Sequence, residues 1–310
     1  MAGVLAGWAA VRLAGADRLE PAEHWTVPLL SFTPQVTAGA WAATLLLRSP
    51  GPSAAAALAS AALTAAVGPR ALPSAQPAAT GPLLRVLTAN LLVGRADAGA
   101  VADLVRGTDA DVLFVQELTD EAEVRFERAG LNDLFAHRLT HSVAAGPRGS
   151  GIYARYPLTR EAPADPASAA QIVAGLRLPT GQVVQLVCVH TPSPKPLWNQ
   201  HATARWNGEL AALPTPDGRP LILAGDFNAT LDHAQFRRLL HRGHFDAASQ
   251  TGNGLSPTWG PRAQRRPAVL AIDHILVDAQ WAVLGTSTHR LSGSDHRALF
   301  ARLRLPAPSD

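Results

Sequence analysis

The sequence of 310 residues has a single cysteine, Cys188, and a formal net charge of only +3. One cysteine excludes an intramolecular disulfide and any metal site built from several thiolates. So small a net charge does not by itself indicate a nucleic-acid-binding protein. Since 47% of the residues are hydrophobic and 16% are charged, the chain is not a disordered polymer and is able to bury a core.

Three widespread catalytic signatures are also missing. The sequence contains no HExxH, no GxxxxGK[ST] and no GxSxG. These absences argue against a zincin protease, a P-loop nucleotidase and an esterase with a nucleophile elbow. Serine-hydrolase chemistry is therefore disfavoured.

Charge is scarce in the first 80 residues, which contain two long uncharged stretches, 25–47 and 49–69. A helix that crosses a bilayer needs about 20 mostly apolar residues. Together with the apolar segment 1–16, these stretches predict a membrane region over residues 1–70 with up to three transmembrane helices. One alternative is that these alanine-rich helices pack on the domain that follows. Another is that the first helix is a signal peptide, but the absence of a basic residue before Arg12 disfavours cleavage.

The few charges around these helices predict an orientation. The loop 17–24 carries Asp17, Glu20 and Glu23 against one arginine, whereas the turn at Arg48 carries only positive charge. Because positively charged loops stay in the cytoplasm, three spans leave the rest of the chain outside the cell membrane. The Pro- and Ala-rich segment 71–82 is then a linker, residues 83–305 form an extracytoplasmic catalytic domain, and residues 306–310 are a tail.

Polar residues follow the predicted strands of this domain at the points where the strands end. The end of a strand in a rigid sheet is a position from which a side chain can project into a shared cleft. Helices are predicted at 97–106, with Asp97 as N-cap and Gly107 as stop, and at 197–213. The polar strand ends are Asn90 after strand 83–89, Glu117 after 111–116, His190 after the hairpin 172–178/183–189, Asp226 and Asn228 after 221–224, Asp273 within 271–277, and Asp295 and His296 before 298–305.

The side-chain types at these ends favour one kind of site. Carboxylates, amides and imidazoles without thiolates suit a hard cation such as Mg²⁺ or Mn²⁺. Hydrolysis of a phosphoester needs a cation at the phosphoryl oxygens, a base for the attacking water, and donors for the charge of the transition state. The strand ends contain candidates for all three, so the pattern predicts a metal-dependent phosphoesterase.

The same residues lie in six motifs that occur in a fixed order: LTAN, FVQE, VCVH, GDFN, IDHILV and SDH. In this order and spacing the sequence resembles the endonuclease/exonuclease/phosphatase superfamily of DNase I-like metal phosphoesterases over residues 83–305. The resemblance implies an α/β fold, a four-layer α-β-β-α sandwich of two packed mixed β-sheets. It also implies that Glu117 is the main ligand of a Mg²⁺ or Mn²⁺ ion, with Asn90 and Asp295 assisting.

The resemblance further implies roles for five catalytic residues. Asp226 would orient or deprotonate the attacking water, and Asn228 would hold phosphate or water beside it. His296 would donate to a phosphoryl oxygen, with Asp273 hydrogen-bonded to its ring. His190 would contact the phosphate from the opposite side.

Three hypotheses for the substrate remain open at this point. The apolar N-terminal segments favour a phosphate or pyrophosphate ester presented at a membrane, and this arrangement resembles a membrane-anchored branch that includes the vancomycin/teicoplanin-resistance membrane protein. A nuclease acting on DNA or RNA is the alternative, and it needs a basic track. A protein that kept the fold but lost its chemistry is the third hypothesis. The arginines available for a basic track are Arg262, Arg265 and Arg266 near Trp259, and Arg237, Arg238 and Arg242.

Overall fold

The computed structural model describes residues 1–19, 23–47, 49–163, 171–194, 201–261 and 267–307. Five features named above lie outside these residues: Glu20, the turn at Arg48, the start of the predicted helix 197–213, the arginines at 262, 265 and 266, and the last three residues of the tail 306–310.

The strands form two six-stranded sheets. In the first sheet the order is β11-β12-β1-β2-β4-β3, and in the second it is β5-β6-β7-β8-β10-β9. The pairs β1/β2 and β7/β8 are parallel and the others are antiparallel, so both sheets are mixed. In chain order the strands are β1 (Leu83–Asn90), β2 (Val112–Gln116), β3 (His137–His141), β4 (Ser150–Ala154), β5 (Leu158–Glu161), β6 (Ile172–Arg177), β7 (Val183–His190), β8 (Leu221–Asp226), β9 (Phe245–Asp246), β10 (Asp273–Val277), β11 (Ala282–Arg290) and β12 (Arg297–Arg304).

The helices cover the outer faces of the two sheets. Helices α5 and α6 bury Val101 and Phe126 against the first sheet, and α8 and α9 bury Trp206 and Phe236 against the second. The predicted four-layer α-β-β-α sandwich is therefore confirmed. In chain order the helices are α1 (Ala2–Ala14), α2 (Glu23–Leu30), α3 (Thr33–Leu45), α4 (Pro50–Val67), α5 (Ala98–Thr108), α6 (Asp120–Arg128), α7 (Leu131–Leu134), α8 (Ala202–Ala212), α9 (Ala234–His241) and α10 (Ala247–Gln250).

The main core lies between the two sheets. Strand side chains alternate between faces, so β1 directs Val86 into the space between the sheets and Leu87 toward α5. Phe114 of the first sheet and Leu186 and Ile275 of the second belong to the same inner cluster and are fully buried. This rigid double layer fixes the strand ends that carry the polar residues.

Helix α5 shows how closely local sequence signals set an element's ends. The Asp97 carboxylate accepts a hydrogen bond from the Ala100 N–H (2.8 Å), which is the predicted N-cap. The helix does not stop at Gly107 as predicted, but continues to Thr108 and ends at Asp109 in a left-handed conformation (φ 52°). Asp109 is able to take that conformation because a short polar side chain tolerates the left-handed region.

The predicted span over 25–47 is two short helices in the structure. Helix α2 ends at Leu30 and α3 begins at Thr33, with Pro34 in its first turn. A proline is preorganised for the first turn of a helix, so Pro34 favours the start of a new helix here, although α2 also contains a proline, Pro28. Among the described residues, Pro50–Ala71 is the one helix long and apolar enough to cross a membrane.

The N-terminal helices, α1 to α4, pack on one another and on the domain formed by the two sheets. Leu5 of α1, Ala40 of α3 and Leu63 of α4 share a small apolar cluster. Three charged groups then join this N-terminal helical region to the domain: Arg12 and Arg70 both donate to the buried carboxylate of Asp232 at 2.6–2.7 Å.

The segment 71–82 follows the surface of the domain. Pro73 forms a bridge with Thr251, the Ser74 N–H donates to the Gln250 carbonyl (3.0 Å), and the Gln76 side chain accepts from the Val283 N–H (2.8 Å). Residues 74–82 belong to no helix or strand, but these contacts hold the beginning of the segment against the domain.

Candidate active site

The polar strand ends meet where the two sheets face each other. Asn90 is in register with Gln116 at the ends of the parallel pair β1/β2, and His190 is in register with Asp226 at the ends of β7/β8. Asp273 begins β10 directly opposite Asp226. The sheet pairing therefore brings residues that are far apart in sequence to a single edge.

Backbone strain accompanies two of the site residues. Glu117 and Asn228 have positive φ values of 59° and 48°, a conformation that non-glycine residues rarely adopt. Each lies immediately beyond a buried strand end, where the chain turns sharply and aims the side chain into the cleft. Gly225 precedes Asp226 with φ 150°, and a Cβ there would lie 1.9 Å from the Val189 carbonyl oxygen, so only glycine allows β7 and β8 to approach so closely.

All eight residues predicted for the site lie in one connected network. The Asn90 amide nitrogen donates to Glu117 (3.1 Å) and to Asp226 (3.0 Å). The His190 Nε2 atom lies 3.8 Å from the Glu117 carboxylate and 3.9 Å from that of Asp226. The other contacts are Asn228 N–H to Asp226 Oδ1 (2.8 Å), His296 Nε2 to Asp226 Oδ2 (3.7 Å), His296 Nε2 to Asp295 Oδ1 (3.9 Å) and His296 Nδ1 to Asp273 Oδ2 (2.9 Å).

Asp226 is fully surrounded by this network. Burial raises its pKa to about 6, and the neighbouring Asp273 acts in the same direction, while His296 and His190 oppose the rise. A carboxylate whose pKa lies near neutrality is suited to accept a proton from water.

His296 and Asp273 form a buried pair beside Asp226. The His296 Nδ1–H donates to the Asp273 carboxylate, which leaves Nε2 directed at Asp226. Burial opposes the charged ring, but Asp273, Asp226 and Asp295 together outweigh it and raise the pKa of His296 to about 10. The ring is therefore a cation that carries an N–H into the cleft.

The donor set fits a hard divalent cation. Asp295 Oδ1 is buried and, within the described residues, accepts no hydrogen bond, while its Oδ2 accepts from Trp259 Nε1 (3.0 Å). An oxygen left without a donor in a carboxylate-rich cleft is a suitable ligand for such an ion. A second grouping, Asp226, Asp273 and His296, places its ligand atoms within 4.8 Å of one another, but there the Asp273 carboxylate is already bound to the His296 ring.

Asn90 differs from its expected part as an oxygen ligand. Its side-chain oxygen accepts the Leu92 N–H (2.9 Å), and its nitrogen faces the two carboxylates. In this arrangement Asn90 orients Glu117 and Asp226 by donation.

Sequence reasoning missed several residues that hold the site together. The Ser294 hydroxyl donates to the Asn90 carbonyl (2.7 Å) and accepts the His296 N–H (3.0 Å), thereby linking two motifs. The Thr258 hydroxyl accepts the N–H groups of Ile272 and Asp273 (both 3.1 Å). In the sequence Trp259 stands out only as a neighbour of a basic cluster, and its bond to Asp295 has no signal in the local sequence.

The site opens into a cleft of about 1050 Å³. Glu117, His190, Asp226, Asn228, Asp295 and His296 all line it. An unexpected wall comes from the N-terminal helical region, which contributes Val27, Pro28, Ser31 and Phe32.

Two mixed sheets packed face to face, with a buried Asp226 and a histidine–aspartate pair at their joined strand ends, define the class of phosphoester hydrolases with a DNase I-like fold. The chain belongs to the Endonuclease/Exonuclease/phosphatase family, because the sequence model of this family matches residues 87–296. Members of this family depend on a divalent metal ion, which agrees with the carboxylates of the cleft and with the Asp295 oxygen that accepts no hydrogen bond within the described residues.

Solved structures share this fold at low sequence identity. The endonuclease/exonuclease/phosphatase from Beutenbergia cavernae is 16% identical with a TM-score of 0.58, and the comparison covers 72% of each chain. A humanized zebrafish (D. rerio) TDP2 is 18% identical with a TM-score of 0.55, covering 72% of this chain and 99% of that one. An AP endonuclease from Archaeoglobus fulgidus is 15% identical with a TM-score of 0.53, covering 70% and 98%. A comparison with curated protein sequences found no significant match.

Proposed function

We propose that the protein hydrolyses a phosphate or pyrophosphate ester of a membrane lipid with the help of Mg²⁺ or Mn²⁺. In this proposal Glu117 and Asp295 hold the ion, which when bound polarises the phosphoryl group. Asp226 takes a proton from the attacking water, and Asn228 holds the Asp226 carboxylate through its backbone N–H (2.8 Å). His296, kept charged by Asp273, donates to a phosphoryl oxygen, and His190 donates from the other side.

The observation that carries the lipid part of the proposal is the exposed apolar surface of the N-terminal helical region, a region that also lines the cleft through α2 and the turn after it. Large hydrophobic side chains are exposed there, among them Trp25, Trp41, Leu45 and Leu46. A soluble monomer rarely exposes apolar side chains in such density. Contact of this surface with a bilayer removes these side chains from water and places the cleft near the headgroups.

A panel of hydrolysis assays tests the proposal, with released phosphate or pyrophosphate measured for the lipid monophosphates and pyrophosphates, and the released phosphorylated headgroup or DNA fragments measured for the diesters. The full-length protein is assayed with Mg²⁺ on lipid pyrophosphates, lipid monophosphates, a sphingomyelin-like diester and DNA. We expect release from at least one lipid class and little cleavage of DNA. Cleavage of DNA with no activity on any lipid would overturn the lipid assignment.

A nuclease is the second candidate, since the fold is shared with TDP2 and with an AP endonuclease. The cleft offers weak support for it. Its arginines among the described residues are Arg148 and Arg205, and the second is paired with Glu209 at 3.1 Å. Arg237 donates to the carbonyls of Asp232 and Arg12, and Arg242 to those of Ala211 and Leu213, so two arginines of the expected basic track already serve to hold the backbone.

We further propose that the protein lies in the cell membrane with its catalytic domain outside. The length of Pro50–Ala71 and the apolar surface around it support membrane attachment. Ser74 is exposed just after this helix, so Ser74→Cys in a Cys188→Ser background provides one accessible thiol. We expect an impermeant thiol reagent to label intact cells, and labelling only after lysis would reverse the orientation.

A further inference from the structure

Helix α2 and the turn that follows it form one wall of the catalytic cleft. Pro28, Ser31 and Phe32 line the same cavity as Asp226 and His296. These residues are about 200 positions away from the base in the sequence, so this wall arises from docking of the N-terminal helical region.

The wall is fixed in place by contacts to the loop that follows Asn228. The Thr230 N–H donates to His233 Nδ1 (2.9 Å), so His233 Nε2 carries the proton and donates to the Val27 carbonyl (2.9 Å). The Val27 side chain is fully buried in the cluster that contains Phe227 and Trp206. Helix α2 is thus attached to the same loop that carries Asn228.

Three large apolar side chains are exposed on α2 and in the turn after it. Trp25 and Leu29 are spaced at i and i+4 and lie on one face of α2, and Phe32 follows in the turn after Leu30. They are 64%, 52% and 42% exposed. Phe32 lines the cleft, and its backbone N–H donates to the Leu29 carbonyl (3.0 Å), so Leu29 lies next to it at the beginning of this turn.

The loop before β10 contributes another apolar side chain to the cleft. Leu270 lines the cleft, and the Gln35 side chain donates to the neighbouring Val269 carbonyl (2.6 Å), which holds this loop against the start of α3. A hydrocarbon chain whose phosphate lies at Asp226 and His296 would meet Phe32 and Leu270 first and Leu29 next.

We propose that Phe32, with Leu29 and Leu270, forms a binding site for the hydrocarbon chain of a lipid phosphate and thereby selects the substrate. This inference rests on the proposed function. The bases of a nucleic acid strand also stack on aromatic side chains, but binding of its phosphate backbone needs cations. Of the two described arginines in the cleft, Arg205 is already paired with Glu209. A linear or polyprenyl chain needs only an apolar wall, and each methylene that leaves water contributes about fourfold in affinity.

Binding of two simple probes tests the site independently of turnover. Dodecyl phosphate and butyl phosphate, both below their aggregation concentrations, are titrated into the full-length protein by calorimetry. We expect dodecyl phosphate to bind more tightly, and Phe32→Ala to weaken its binding about tenfold more than that of butyl phosphate. Phe32→Leu should retain most of the preference for the longer chain.

Phe245→Ala is the matched control, since Phe245 is the same residue type, is 41% exposed, and lies on the edge strand β9 rather than in the cleft. Equal weakening in Phe32→Ala and Phe245→Ala, or an unchanged chain-length preference in Phe32→Ala, would overturn the site. If lipids are hydrolysed and Phe32→Ala has no effect, this inference fails and the proposed function stands. If dodecyl phosphate binds at Phe32 but no lipid is hydrolysed, the site stands and the proposed function fails.

Discussion

The Asp232 carboxylate is the most consequential buried charge outside the catalytic network. Its side chain is fully buried, and it accepts from Arg12 Nε (2.6 Å) and from both terminal nitrogens of Arg70 (2.6 and 2.7 Å), two arginines that are themselves 7% and 9% exposed. Burial alone would raise the pKa of Asp232, but the two guanidinium groups lower it below its ordinary value. The carboxylate is therefore ionised, and its single negative charge is shared by two buried cations.

Asp232→Asn keeps the shape of the side chain and removes its charge. Two arginines then remain buried without an anion, and breaking a buried ion pair on one side costs about 3–5 kcal/mol. We expect the free energy of unfolding in urea to fall by about that amount. Because Arg12 and Arg70 lie in the N-terminal helical region, we also expect limited proteolysis to cut within 71–82 before the domain unfolds.

The control for this experiment is Asp103→Asn, which removes one side of an exposed pair with Arg106 (2.9 Å). Such surface pairs contribute within about 0.5 kcal/mol. If Asp232→Asn lowers the free energy of unfolding by less than about 1 kcal/mol, or no more than the control does, the buried triad does not hold the N-terminal helical region to the domain.

Three further predictions concern the metal, the histidine pair and the acid stability of the fold. Glu117→Gln replaces an anionic oxygen by a neutral amide and should raise the half-saturating Mg²⁺ concentration; an unchanged value in a metal titration would refute its role as a ligand. His296→Gln should lower turnover about 10²–10³-fold with a near-parental melting temperature, whereas His289→Gln, at a half-buried strand position away from the cleft, should not; a loss that only follows the melting temperature would indicate a structural role. Burial lowers the pKa of His244 from 6.5 to about 4, and its Nδ1 has no partner in the described structure, so the unfolded chain binds the proton more readily and stability should fall by up to about 3 kcal/mol as the pH drops from 6.5 to 4. Urea unfolding of the parent and His244→Gln across this range should converge at low pH, and parallel curves would contradict the assignment.

The strand ends of the site were predictable because each one is a local event. A short apolar run that stops at Asn90 or Asp226 is visible in a few residues of sequence. The pairing of the strands then brings these ends together at one edge. The residues that form the network around Glu117 and His296 could therefore be listed from the strand ends alone, although the distances between them could not. The prediction of a single long span over 25–47 was wrong because it used only the absence of charged residues. An uncharged stretch shows that a segment is apolar, but it does not show where one helix ends and the next begins, here between Leu30 and Thr33.

The cleft wall could not be predicted in the same way. The sequence around Phe32 contains no signal that places it near Asp226. Phe32 reaches the cleft because α2 docks on the domain, where His233 donates to the Val27 carbonyl. The bond from Trp259 to Asp295 is similar, since an indole N–H has no positional signature. Side chains that support a site across different elements are thus visible only after docking.

The buried triad around Asp232 has a consequence for how the N-terminal helical region is placed. Replacement of a buried ion pair by apolar residues is often neutral or stabilising, so such a pair is a weak source of net stability. A purely apolar contact between alanine-rich helices and the domain would tolerate sliding, because small side chains interlock poorly. Two arginines that must share one carboxylate permit a single arrangement. That arrangement sets α2 beside the loop of Asn228, and we infer that the triad fixes the position of Phe32 relative to the catalytic groups.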